Sequence, residues 1–358
     1  MSEPTPKSTP KAPTYSLVIP VFNEEETLPE LRSRLLQLLS RLDGETEVIL
    51  VDDGSSDRSW SMIARLHLED ARFVGVRLSR NFGHQTAITA GMDLARGEAV
   101  VVMDADLQDP PEVVLEMAAK WREGYEVVYG VRDDRSTDSW FKRHSASLFY
   151  RTLSRLSDVP IPNDVGDFRL VDRRAVDAFR SMRESGRYVR GMYAWIGFRQ
   201  IGVPYRRAER YAGTTKYPIK KMLRLASDAL VGYSKVPLKL ALRLGLVFAV
   251  MSLLGGATAV ALDVSGSYTV PGWTSILVAV CLLGGIQLAV LGILGTYIGR
   301  LHDEALHRPL YIVSALHGLA MPLDTPTRAV VAVPQTVASL LGEELDLRET
   351  TTLVEDVS

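Results

Sequence analysis

Residues 98–106 read Glu-Ala-Val-Val-Val-Met-Asp-Ala-Asp, an apolar run that empties into two aspartates one residue apart. The run is too short for a core helix and too apolar for a half-exposed strand. It predicts a strand buried on both faces. The same form recurs at 15–20 (YSLVIP), 46–53 (TEVILVDD), 72–78 (RFVGVRL) and 125–130 (YEVVYG). Helical patterns separate these runs at 25–42, 58–68, 85–95 and 111–121. Fully apolar strands alternating with helices predict an α/β domain with a mainly parallel sheet covered on both sides. Ligands of such sheets bind beyond the carboxyl ends of the strands. The candidate residues are therefore those that follow each strand: Pro20, Phe22 and Glu24, then Asp52 and Asp53, then Asp104 and Asp106.

No G-x-G-x-x-G follows the first strand, and no G-x-x-x-x-G-K-[ST] occurs, so dinucleotide-binding and P-loop routes to phosphate lack support. The chain offers carboxylates instead. Two positions apart in extended backbone, Asp104 and Asp106 project to the same side and can share one hard cation. Mg²⁺ or Mn²⁺ prefers such oxygens, is readily shared with substrate phosphates, and assists a leaving diphosphate as a Lewis acid. Each candidate also has a structural reading. Acidic residues often end strands, Glu24 suits the first turn of a helix, and Asp53 suits an Asx turn before Gly54. His84 reads better as a surface residue at a helix N-terminus than as a catalytic one, and the six histidines lack metal-ligand spacing.

The whole chain has 358 residues, 46% hydrophobic and 23% charged, with a net charge of -2. That composition excludes a disordered protein and argues against a dedicated nucleic-acid binder. The single cysteine, Cys281, excludes an internal disulfide framework and any multi-cysteine zinc site. The N-terminus has no apolar h-region of a secretory signal. Mean hydropathy is nevertheless +0.05, because apolar residues concentrate towards the C-terminus. Residues 244–262 and 264–299 are uncharged, long enough for two membrane spans at about 1.5 Å per residue. Eleven Lys or Arg lie in 199–243 against two acids, and none in the connection 263–273. The positive-inside rule then predicts a hairpin with both ends cytoplasmic. Residues 216–240 mix lysines with Ile219, Met222, Leu223 and Leu230, the pattern of amphipathic helices lying in the headgroup region.

The ordered set VIPVFNEEETLPEL, VDDGSSD, LSRNFGHQTAITAG, VVMDADLQDPPE and GDFRL resembles glycosyltransferase family 2. More narrowly, it resembles the polyprenyl-phosphate glycosyltransferases, which include dolichol-phosphate mannose synthase and bacterial undecaprenyl-phosphate glucosyltransferases. The likeness extends from about Tyr15 to Val313, through RYVRGM, AERYAGTTKYP and two C-terminal spans. It implies a GT-A type, Rossmann-like domain over 14–215, after a disordered leader at 1–13. Interfacial helices at 216–240, a transmembrane hairpin at 241–300, a juxtamembrane segment at 301–316 and a flexible tail at 317–358 would follow. The resemblance implies nucleotide contacts from Pro20, Phe22, Glu24 and Asp53, and a metal environment of Asp104, Asp106 and Gln108. It assigns Arg132, Arg143 and Ser147 to the acceptor phosphate, Asp167 to the reacting carbon, and Arg210 and Lys216 to a loop closing on the diphosphate.

The reaction so implied is inverting transfer of a hexose from a nucleotide sugar to a polyprenyl phosphate at the cytoplasmic face of the inner membrane. A phosphate acceptor is already anionic at neutral pH, with a second ionisation near ~6, so no strong general base is needed. Overcoming repulsion between two phosphorylated substrates is the larger task. The GDFRL segment favours glucose from UDP-glucose; GDP-mannose and a UDP-aminoarabinose-type donor are the alternatives. A membrane polysaccharide polymerase would need more spans and a Q-x-x-R-W motif, which the chain lacks. A non-catalytic scaffold would not need its four aspartates. No nucleic acid is expected as a partner, and a homo-oligomer remains open.

Overall fold

The computed structural model describes residues 12–132, 165–208, 236–265, 273–318 and 329–331. It divides into an α/β unit, residues 1–143, 161–216 and 308–358, and a helical unit, residues 144–160 and 217–307.

Four β-then-α repeats open the α/β unit. They run β1 (Tyr15–Val21), α1 (Leu28–Leu39), β2 (Thr46–Asp52), α2 (Ser59–Glu69), β3 (Phe73–Leu78), α3 (His84–Leu94), β4 (Ala99–Val102) and α4 (Val113–Arg122). Every residue of β1, β2 and β4 is buried, as expected of strands covered on both faces. β5 (Val127–Arg132), β6 (Val165–Asp172), α5 (Arg173–Ser181), α6 (Val189–Ile196) and β7 (Gln200–Tyr205) complete the region before the long helices. Helix α3 lies close on the sheet because Gly91 has no side chain: a Cβ there would meet Val18 and Val51.

With β8 (Tyr311–His317) and β9 (Ala329–Val331), the sheet among the described residues has nine strands in the order β7-β5-β6-β4-β1-β2-β3-β8-β9. It is mixed rather than mainly parallel. β1 pairs in parallel with β2 and β4, β2 with β3, β5 with β7 and β8 with β9, whereas β6 runs antiparallel to β4 and β5, and β8 to β3. The reversed β6 matters for function: its first residues lie where its neighbours end.

Two long helices make up the described part of the helical unit, α7 (Val236–Val264, 29 residues) and α8 (Trp273–Ala305, 33 residues). The stretch Leu282–Ala305 is long and apolar enough to cross a membrane. Helix α7 starts at Val236, so the division expected between 240 and 241 falls inside a helix. Pro237 occupies its first turn, where the missing N–H costs no hydrogen bond.

The division expected at 316/317 also gives way. After α8 the chain returns to the α/β unit as β8 (Tyr311–His317), paired with β3, and β9 (Ala329–Val331) pairs with β8. The segment 301–316 is thus part helix and part sheet, and 317–358 includes sheet residues. At the other end, Pro13 of the expected leader is buried and its carbonyl accepts from the Glu98 amide at 3.2 Å.

Candidate active site

The turns after β1 and β2 hold each other. Amide N–H groups of Asn23 and Glu24 donate to the hydroxyls of Ser55 and Ser59, both at 2.9 Å, and Ser56 N–H donates to Asn23 Oδ1 at 2.9 Å. Asn23 itself adopts a left-handed conformation (φ 56°) that turns the chain at the strand end. Phe22, 46% exposed, stands on this surface, while Pro20 is buried within β1. The Glu24 carboxylate accepts from the Thr27 hydroxyl at 2.7 Å.

Asp53 does not make the Asx turn. That role falls to Asp52, whose Oδ1 accepts from Ser55 N–H at 3.1 Å. Both Asp53 oxygens instead accept backbone N–H groups across the sheet, from Phe82 at 2.7 Å and Gly83 at 2.9 Å. Gly54 (φ +70°) makes the approach feasible, because a Cβ there would strike the Arg80–Asn81 peptide. The buried Asp53 thereby fixes the turn that begins α3, with His84 and Gln85 at its N-terminal end.

Register brings the remaining carboxylates together. Ala99 pairs with Asp172 and Val102 with Arg169, so two residues beyond the ladder Asp104 stands opposite Asp167. His84 lies between them, its Nε2 3.4 Å from Asp104 Oδ1 and 3.5 Å from Asp167 Oδ2. His84 is exposed at the N-terminal end of α3, as its sequence position predicts, and from there its ring also reaches both carboxylates. Burial lowers its pKa, but the hydrogen bond to Asp167 and the charges of both aspartates outweigh this and raise it overall.

Asp167 is held from two sides. Arg190 donates Nε to Oδ1 at 3.0 Å and Nη2 to Oδ2 at 3.3 Å, and Gln85 Nε2 donates to Oδ2 at 3.2 Å. The carboxylate pairs with Arg190 and not with Arg169, two residues along its own strand. Arg169 Nε donates to the Asp167 backbone carbonyl, and its guanidinium lies over the Tyr193 ring at 4.4 Å. Burial works to raise the Asp167 pKa; the Arg190 charge and the His84 and Arg190 hydrogen bonds reverse that and hold the carboxyl far below the usual range. Asp167 is thus a fixed negative charge at neutral pH.

Asp104 contrasts with it. Burial and the neighbouring carboxylates push its pKa up to about 6 against the opposing effect of His84. Its buried Oδ1 has no hydrogen-bond partner. Asp106 Oδ1 accepts from the Gln108 amide at 3.1 Å. An orphaned carboxylate oxygen beside a second carboxylate fits a divalent cation. Among the described residues no group of three or more His, Cys, Asp or Glu is arranged to hold one. A cation at Asp104 and Asp106 would therefore take further oxygens from substrate, as Mg²⁺ commonly does.

Arg132 ends β5 beside the start of β6: a Cβ on Gly166 would come within 3.2 Å of its Nη2. Its Nε donates to the Tyr205 hydroxyl at 3.5 Å. Arg143, Ser147, Arg210 and Lys216 lie outside the described residues, as does most of the expected interfacial segment. Sequence reasoning missed Arg190. Its place in RYVRGM was legible, but its partner, 23 residues away, was not.

Comparison with known proteins gives the family. The model of glycosyl transferase family 2 matches residues 16–180. YkcC of Bacillus subtilis (strain 168), an uncharacterized glycosyltransferase, is 48% identical over 85% of this chain and 94% of its own length. The bactoprenol glucosyl transferase of Shigella phage SfV is 39% identical over 83% of this chain and 97% of its own. A prophage bactoprenol glucosyl transferase homolog of Escherichia coli (strain K12) is likewise 39% identical, over 83% and 97%. The chain belongs to glycosyl transferase family 2, and it is a glycosyltransferase.

Proposed function

We propose that this enzyme transfers glucose from UDP-glucose to undecaprenyl phosphate with inversion, at the cytoplasmic face of the inner membrane. The observation that carries the reading is the pairing at the strand ends. Asp104, with an orphaned oxygen, faces Asp167, a carboxylate locked in its charged form, and Arg132 stands on the adjoining strand. The relatives named as bactoprenol glucosyl transferases support both the lipid acceptor and the sugar.

The nucleotide lies against Phe22 and Glu24, on turns that Pro20 and Asp53 fix from below. Asp104, Asp106 and Gln108 would hold Mg²⁺ or Mn²⁺, and the ion would supply Lewis-acid assistance to the departing diphosphate. Arg132, with Arg143 and Ser147, receives the acceptor phosphate, and Arg210 and Lys216 meet the donor diphosphate. A phosphate oxygen attacks the anomeric carbon, forming the new C–O bond as the bond to the diphosphate breaks and UDP departs. No proton must be removed from the nucleophile, which suits a site whose central carboxylate is a poor base. Asp167 instead stabilises the positive charge that develops on the sugar ring. Helices α7 and α8 form the membrane hairpin.

The test is a panel of UDP- and GDP-sugars incubated with the full-length enzyme and undecaprenyl phosphate, scored by the mass of the lipid product. Glucosyl lipid from UDP-glucose alone is expected. Product from GDP-mannose would reassign the donor, and no lipid product from any sugar would refute the acceptor.

A further inference from the structure

Beyond the carboxylates of the D-x-D turn lies a third, Asp109, which the reaction as derived does not use. The turn doubles back through Leu107, a buried leucine in left-handed conformation (φ 57°), and this reversal points Asp109 into the protein. Only 1% of Asp109 is exposed, yet its carboxylate accepts the Tyr205 hydroxyl at 2.5 Å. The same hydroxyl accepts from Arg132 Nε at 3.5 Å, which gives a chain Arg132 N–H to Tyr205 O–H to Asp109. Gly130 leaves room for the Tyr205 ring, since a Cβ there would come within 2.7 Å of it.

Tyr205 is also the last residue of β7, just ahead of residues 206–208. Three residues on, the Ala208 amide donates to the Gln108 carbonyl at 2.9 Å, and the Arg207 guanidinium lies 4.0 Å from the Asp109 carboxylate. One buried carboxylate thus joins three parts: the D-x-D turn, the arginine beside β6, and the residues that follow β7.

We propose that Tyr205 and Asp109 are a positioning pair which holds the Arg132 guanidinium for the acceptor phosphate by tying it to the cation-binding turn. The inference rests on the reading of Arg132 as a phosphate-binding residue. Neither Tyr205 nor Asp109 touches substrate; both act through Arg132. A hydrogen-bond relay to a charged group has the strength to be read in affinity, about tenfold or more when broken.

The experiment is a double-mutant cycle on the full-length enzyme in detergent, with Tyr205→Phe, Arg132→Ala and both together. Three quantities are read for each: binding of undecaprenyl phosphate, the acceptor KM and kcat of transfer, and UDP-glucose affinity with Mn²⁺. Tyr205→Phe is expected to weaken acceptor binding and raise acceptor KM about tenfold, with donor affinity within twofold of wild type. In the Arg132→Ala background it should add nothing further. Equal acceptor affinity in wild type and Tyr205→Phe would overturn the proposal. So would an additive loss, or a parallel loss of donor affinity and melting temperature, which would make the pair merely structural. Because acceptor binding is measured apart from turnover, a wild-type enzyme that binds the lipid phosphate but transfers no glucose refutes the reaction and leaves the positioning pair to be judged on binding.

Discussion

At the scale of single residues, Asp104 and Asp167 show how one strand edge gives identical side chains opposite behaviour. Asp167 is buried with Arg190 against it, whereas Asp104 is half-buried and shares its surroundings with other carboxylates. A cation binds Asp104 only when the carboxyl is ionised, so its pKa of about 6 sets the acid limit of metal binding. The sign follows directly: the carboxyl is charged above that value and protonated below it. Mn²⁺ affinity, measured by calorimetry, is expected to fall about tenfold between pH 7.5 and pH 5. Asp106→Asn should abolish most turnover with the melting temperature retained, and full activity in excess EDTA would refute the metal role. For Asp167 the expected lesion is different. Arg190→Gln removes the charged partner of a buried carboxylate and should lower stability by about 2 kcal/mol at pH 7, less than for a fully buried pair because Arg190 is partly exposed and Gln85 and His84 stay within reach. The residue types of this site were legible in the sequence, as strand-end carboxylates are hard to mistake. Their pairing was not: Arg190, Gln85 and His84 reach Asp167 from separate helices, and only the sheet register aligns them.

At the scale of elements, legibility followed hydrophobic pattern. The five uninterrupted apolar runs became β1 to β5, and the four helical patterns between them became α1 to α4, within a few residues at their ends. Strand β6 reads Val-Gly-Asp-Phe-Arg-Leu-Val-Asp, and its buried Asp167 and Arg169 disguise it as a polar motif. Strand β8 escaped for another reason. It pairs with β3 across 237 residues of chain, and, next to the short outermost strand β9, it mixes buried with half-buried residues. Its anchor is polar as well as apolar: the buried Tyr311 hydroxyl donates to Asp93 Oδ2 at 2.9 Å, on the same carboxylate that receives Arg183 Nη1. Burial, with the nearby Asp93, pushes the Tyr311 pKa well up, so the hydroxyl stays a donor. Tyr311→Phe should cost about 1–2 kcal/mol, because Asp93 keeps its arginine but loses a donor. Thermal unfolding in detergent checks this, with transfer activity expected to survive below the lowered midpoint.

For the whole molecule, the pairing of β3 with β8 constrains the membrane topology. Residues 12–132 and 308–318 contribute strands to one sheet, so they must lie on the same side of any bilayer. The chain between them must then cross an even number of times. Leu282–Ala305 qualifies as one span by length and hydropathy, and parity requires a second. In the hairpin proposed above that second span is helix α7, 29 residues and about 43 Å long, whose uncharged stretch at 244–262 would match a hydrocarbon core of about 30 Å. The charge count gives the direction, since basic residues crowd the approach to α7 and are absent from 263–273. A reporter inserted at 266–270 is expected to appear outside the cytoplasm, and one fused after residue 358 inside it. An outside C-terminal reporter would require either an odd number of crossings, which the shared sheet forbids, or a catalytic domain facing outward. A second reporter at the N-terminus separates those cases, because it must agree with the C-terminal one whenever β8 remains in the sheet. Deleting residues 273–305 while keeping α7 would break the parity: β8 would then face β3 from across the bilayer, and the enzyme is expected to lose its cooperative unfolding transition along with its activity.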